Sequence, residues 1–188
     1  MTQRLILRAA ALVAACGCAA VANAASLEDI PNRKPGLWEI KMVSADTRMP
    51  QQTMQQCTDA NTDADMRTTF SPMAKEMCSQ QNMQKTATGY SIDATCSFHG
   101  ISSTSHTEIS GDFNSAYTVK VSSSQASGPP GVAQAGDMTM NATWVGPCKD
   151  GQKAGDIIMP GGIKMNVNDM KALRALIPQQ APSDHKHR

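Results

Sequence analysis

Six cysteines are the residues of this chain with the widest choice of chemistry: disulfide, metal ligand, nucleophile or lipid acceptor. Cys16 and Cys18 lie in an apolar run of small residues that follows a basic start (Arg4, Arg8). Ala22-Asn23-Ala24 then offers the small side chains that signal peptidase reads, which predicts residues 1–24 as a signal peptide cleaved before Ala25. Val13-Ala14-Ala15-Cys16 also has the form of a lipoprotein box, so a lipid anchor on Cys16 is the alternative; it would leave Cys18 as an odd thiol. Ordinary cleavage leaves Cys57, Cys78, Cys96 and Cys148, separated by 20, 17 and 51 residues. Zinc sites use close pairs such as C-x-x-C, which these gaps lack. Four cysteines in an exported domain are expected to form two disulfides and to hold no metal.

Methionine offers a second chemistry, because soft thioethers bind cuprous ion, and residues 25–188 carry 12 methionines. Met73 and Met77 stand at i, i+4, Met138 and Met140 lie two apart, and His185 and His187 could add imidazole. Yet Leu, Ile, Val and Phe number only 22 in the same span, so methionine must also fill the core. Met138 and Met140 share a strand face with Trp144 and are expected to be buried with it. Packing is the main reading; a soft-metal (copper) or redox-protective role is the alternative. Asp59, Asn61, Asp63 and Asp65 have the D-x-N-x-D-x-D spacing of a calcium loop. The loop glycine is missing, however, and Phe70 occupies the position of the closing glutamate. Carboxylates at the positive end of a helix account for them better. His99 and His106 lie among serines with no G-x-S-x-G frame. Residues 128–136 are glycine-rich but lack a following Lys-Ser/Thr, and two prolines remove backbone donors. The chain therefore reads as non-enzymatic, with no cofactor.

Charge excludes a further class. The whole chain is +1, and without Arg4 and Arg8 it holds 15 basic against 16 acidic residues. Nucleic-acid affinity needs clustered positive charge, so no nucleic-acid partner is expected. After the signal, no apolar run is long enough for a transmembrane helix.

The elements that must position these residues follow from periodicity. Residues 26–34 form a polar lead-in. From Leu37, Trp38, Ile40 and Met42 alternate with Glu39 and Lys41, the pattern of a half-buried strand. Residues 51–57 give a second strand. Thr58-Asp59-Ala60-Asn61 offers helix caps before a short internal helix at 64–78, which Thr68, Thr69 and Pro72 interrupt. Residues 82–87 and 90–98 flank a Thr88-Gly89 turn. A serine-rich strand at 101–109 precedes one with Phe113, Tyr117, Val119 and Val121 on one face, and 138–145 alternates again. About seven short strands predict a mainly β antiparallel meander forming a curved sheet or incomplete barrel. A C-terminal helix at 168–177 ends at Pro178. One domain spans 25–178, and 179–188 form a disordered tail.

Four cysteines allow three pairings. A hairpin turning at Thr88-Gly89 sets Cys78 opposite Cys96, and cross-strand neighbours have the separation a disulfide needs. The remaining pair is Cys57–Cys148, which requires the second strand to end beside the 138–145 strand.

Three segments together resemble a known family: Lys34-Pro35-Gly36-Leu37-Trp38-Glu39-Ile40, Met49-Pro50 with Gln55-Gln56-Cys57, and Met138-Thr139-Met140 with Trp144-Val145-Gly146-Pro147-Cys148. The chain resembles, over residues 34–148, the small exported Gram-negative proteins of domain-of-unknown-function family 3617. That resemblance implies a β-rich periplasmic or envelope-associated domain, and it carries no reaction or catalytic residue. One-sided apolar strand faces then point to binding of an apolar small molecule, a lipid or an envelope partner. Residues 149–188 lie outside the likeness.

Overall fold

The alternation of Trp38, Ile40 and Met42 with Glu39 and Lys41 builds the strand at the middle of the molecule. In the computed structural model, which describes residues 25–46, 50–98, 101–125, 135–169 and 172, this strand is β1 (Gly36–Ser44). After it come β2 (Gln52–Thr58), α1 (Ala60–Met77), β3 (Cys78–Lys85), β4 (Gly89–Phe98), β5 (Ile101–Asp112), β6 (Ala116–Gln125), β7 (Ala135–Gly146), β8 (Asp156–Ile158) and β9 (Lys164–Asn166). The strands form one open, curved antiparallel sheet in the order β3-β4-β5-β6-β7-β1-β2-β8-β9. This is the mainly β architecture that the alternation predicts.

Register explains where the core sits. Trp38 lies opposite Trp144, Ile40 opposite Ala142 and Met42 opposite Met140 on β7, while Met54 of β2 flanks Ile40 from the other side. Trp38, Ile40 and Ala142 are buried, and Met42, Met54, Tyr117, Met140 and Trp144 pack around them. A side-chain period of two puts all of these on one face. Methionine stands there where leucine would in a richer sequence. Met138 departs from the expectation, being 37% exposed, because it faces the outer end of β1 at Ser44.

Several boundaries move for local reasons. The helix starts at Ala60 rather than 64, because Asp59 caps it. Asp59 Oδ1 accepts from the Thr62 amide (2.7 Å), and Thr62 Oγ1 accepts from the Asp59 amide (2.9 Å), a reciprocal cap. The Thr62 amide first, and then Thr62 Oγ1, which donates to Asp59 Oδ1 (2.8 Å), hold the Asp59 carboxyl below its ordinary pKa. Strand β3 begins at Cys78, four residues before the expected start of that arm. Strand β5 continues through Gly111-Asp112, and Phe113 lies in the reversal, where Asn114 N and Ser115 Oγ donate to the Asp112 carboxylate.

Two strands were not expected at all. β8 and β9 have three residues each, too few to show a period, and they extend the sheet beyond β2. Asp156, 2% exposed, holds them. Burial opposes its charge, but its carboxylate accepts from Lys164 Nζ (2.6 Å), Asn166 Nδ2 (2.8 Å) and the Lys153 amide (2.8 Å). The net result lowers its pKa from 3.8 to about 2. The folded state thus takes up the proton at lower pH than the unfolded chain. The stability Asp156 contributes is complete above pH 4 and is lost as pH falls toward 2, about 2 kcal/mol at most. Urea midpoints for the protein should therefore fall between pH 4 and pH 2, and Asp156→Asn should start lower and fall less steeply. Parallel curves for the two proteins would remove Asp156 from the acid response.

Residues 167–169 and Ala172 are helical, at the start of the expected C-terminal helix. The rest of that helix, the signal segment 1–24 and the tail 179–188 lie outside the described residues.

Candidate functional site

The lead-in is not a solvated preface. Ser26 N and Oγ both donate to Asp29 Oδ2, closing a 3-10 turn at Leu27–Asp29. Tyr90 Oη donates to the Asp29 carbonyl (2.6 Å), and the Ala25 and Lys34 amides donate to Met83 O and Phe113 O. These bonds hold the segment against the sheet. Leu27, Ile30 and Pro31 from this segment and Met66 from α1 make one wall of a cleft of about 290 Å³. Ile109, Phe113, Tyr117 and Val119 make the other. Phe113 stacks on Tyr117 at 4.9 Å between ring centroids, and Tyr117 tilts against Trp38 at 5.5 Å. Burial pushes the Tyr117 phenol above its ordinary pKa, so it is neutral at physiological pH.

Three charged residues complete the lining: Arg33, Asp63 and Arg67. The Arg33 amide and Nε donate to the two Asp63 oxygens (2.9 and 2.7 Å), and Arg33 Nη1 donates to Gln56 Oε1 (3.0 Å). Both side chains of this pair are under 10% exposed, and the Arg33 guanidinium lies 5.9 Å from the Trp38 ring centroid. Arg67 is one helical turn beyond Asp63 and reaches its Oδ2 at 3.2 Å, the i, i+4 spacing. Arg67 also donates to Pro31 O (3.3 Å) and to Asn32 Oδ1. The chemistry this arrangement can perform is recognition: an apolar volume closed at one side by a cationic group.

The other candidate residues disperse. Asp59 caps α1, and Asp63 is turned to Arg33, so the residues with calcium-loop spacing do not converge. Among the described residues, no group of three or more His, Cys, Asp and Glu side chains could hold a metal ion. His106 stands on the polar face of β5, with Nδ1 2.7 Å from Asp93 and Nε2 3.7 Å from Glu108. The Asp93 hydrogen bond, above all, raises its pKa. An open polar cleft of about 880 Å³ lies beside it, lined mostly by Ser, Thr, Gln and Asn. His99, residues 128–134, His185 and His187 fall outside the described residues.

The cysteines lie where the hairpin argument puts them. Cys78 is opposite Cys96 in the β3–β4 register and is bonded to it; Cys57 is bonded to Cys148. Two of the stretches carrying the resemblance meet where β1 begins and β7 ends. Trp38 Nε1 donates to Lys34 O (2.8 Å), Trp144 Nε1 donates to Pro35 O (3.0 Å), and Lys34 Nζ sits 3.6 Å from the Trp144 ring centroid. Gly36, at φ +131°, has no Cβ to strike the Trp144 indole nitrogen, which would be 2.6 Å away. The Lys34–Ile40 segment and the Trp144–Cys148 segment are therefore two halves of one structural fastening.

Comparison with known proteins agrees with that geometry. No curated protein and no solved structure matches the chain. A family model described as "Protein of unknown function (DUF3617)" matches residues 33–148. That segment begins at the buried Arg33, ends at the disulfide-bonded Cys148 and leaves β8 and β9 outside. With most of its length matched, and with both fastening segments inside the match, this chain belongs to the DUF3617 family.

Proposed function

We propose that the protein is a non-enzymatic binding domain of the periplasm or cell envelope, which takes an apolar small molecule or lipid-like chain into the cleft between α1 and the sheet. One observation carries the reading: apolar side chains from the lead-in, the helix and two strands surround an open volume of about 290 Å³, near the lower end of the range for small-ligand sites. Export is supported by the signal-like residues 1–24 and by two disulfides, which persist in oxidising compartments. Among the described residues, no helix is long and apolar enough to cross a membrane.

Native mass spectrometry of the protein freshly purified from its own envelope fraction tests both parts. The expected result is a chain beginning at Ala25 with a small apolar molecule bound, lost on denaturation. An acylated chain beginning at Cys16 would place the domain on a membrane surface instead. A bare chain that also fails to bind an apolar fluorescent probe would remove the binding reading.

A further inference from the structure

We propose that the occupant of this cleft is a single-chain amphiphile with a carboxylate head group and about ten carbons, its head held by Arg67. The assignment rests on the cleft being the binding site. Charge selects the head group. Arg33 and Arg67 face the lining with one carboxylate, Asp63, between them, which leaves a surplus of one positive charge. That surplus matches a monoanion.

The two arginines differ in what they have left to give. Arg33 is 9% exposed in its side chain and is committed to Asp63, Gln56 and the Tyr117 phenol. Arg67 is 23% exposed. Among the described residues, three of its N–H groups have acceptors: two on Nη1, to Pro31 O and Asp63, and one on Nη2, to Asn32. A guanidinium has five N–H donors, so among the described residues Nε–H and one Nη2–H have no acceptor. A carboxylate is the group that a guanidinium edge takes in bidentate fashion. Of the two acids of the 3-10 turn, Asp29 directs its carboxylate to Ser26, and neither it nor Glu28 lines the cleft.

Volume selects the tail. At ~30 Å³ for each water-sized group, a cleft of about 290 Å³ accommodates about ten methylene-sized groups. A two-chain lipid would leave most of its apolar surface outside. Ile109, Phe113 and Val119 on one side and Leu27, Ile30 and Met66 on the other supply the apolar contact.

The test is a calorimetric titration of the delipidated full-length mature protein with decanoate, decanol and decylammonium, all below their micelle concentrations. Decanoate should bind about tenfold more tightly than decanol, a factor within reach of one charge-assisted hydrogen bond, and decylammonium should bind most weakly. Arg67→Gln should abolish the preference for decanoate over decanol, and Arg67→Lys should restore part of it. Equal binding of decanoate and decanol by the unmodified protein would overturn the head-group assignment while leaving the apolar cleft standing. Binding of none of the three would overturn both. The comparison among ligands on the unmodified protein decides the matter even if the variants fold poorly.

Discussion

Asp63→Ala is expected to destabilise the protein by about 3–5 kcal/mol, the range for breaking a buried ion pair from one side. The cause is what stays behind. Arg33, 8% exposed, would keep its charge and lose the partner of its Nε and of its backbone amide, with only neutral groups such as Gln56 Oε1 and the Tyr117 phenol left to accept from it among the described residues. Arg67 would lose its hold on the helix in the same step. Urea unfolding reads the effect directly, and added salt should change it little, because buried pairs are poorly screened. Replacing both members, Arg33→Met with Asp63→Leu, should cost less than Asp63→Ala alone, since no buried charge is then unpaired. A loss below about 1 kcal/mol for Asp63→Ala, typical of an exposed pair, would mean that water already reaches Arg33.

Joint replacement of Cys57 and Cys148 by serine should have an effect of similar size. Their bond closes a loop with a sequence separation of 91, for which the chain-entropy model gives about 4–5 kcal/mol. In a domain of this size that corresponds to a melting temperature lower by roughly 10 °C. The Cys78–Cys96 bond closes a separation of 18, and its removal should cost less, about 3 kcal/mol in the same model. Thermal unfolding of the two double variants side by side checks both the size and the order. A smaller loss for the Cys57/Cys148 variant than for the Cys78/Cys96 variant would contradict the ranking by loop length.

What could be read ahead of the structure was whatever has a period or a turn. Trp38, Ile40 and Met42 announce β1 by alternation, and Thr88-Gly89 announces the β3–β4 hairpin and so the position of Cys78 opposite Cys96. Contacts between residues far apart in sequence leave no such mark. Arg33 and Asp63 are separated by 30 positions; Arg33 looks like an ordinary surface charge, Asp63 like a helix-start acid, and nothing local says that they meet. The cleft is hidden for the same reason: Leu27 and Ile30 sit singly in a polar stretch, and bonds to residues far along the chain, Tyr90, Met83 and Phe113, turn them onto the sheet. β8 and β9 escape notice because three residues cannot display alternation. Met138 misleads in the opposite direction: it shares the parity of Trp144, but at its end of β7 parity does not bring cover.

The order of the strands governs the time at which the molecule can assemble. The chain lays down β1 first, at what will become the centre of the sheet, then travels through α1 to the far edge and returns strand by strand. One flank of β1 therefore stays open until β7 is made, about a hundred residues later by the Trp38–Trp144 pairing. During synthesis the edge that carries Trp38 and Ile40 has β2 alone beside it, and an unpaired apolar edge is a template for pairing with other chains. Non-local pairing of this kind is slow, because the loop entropy is lost before the contacts form. The second flank of β1 is thus closed only when β7 arrives, and the sheet is continuous across its middle from that point.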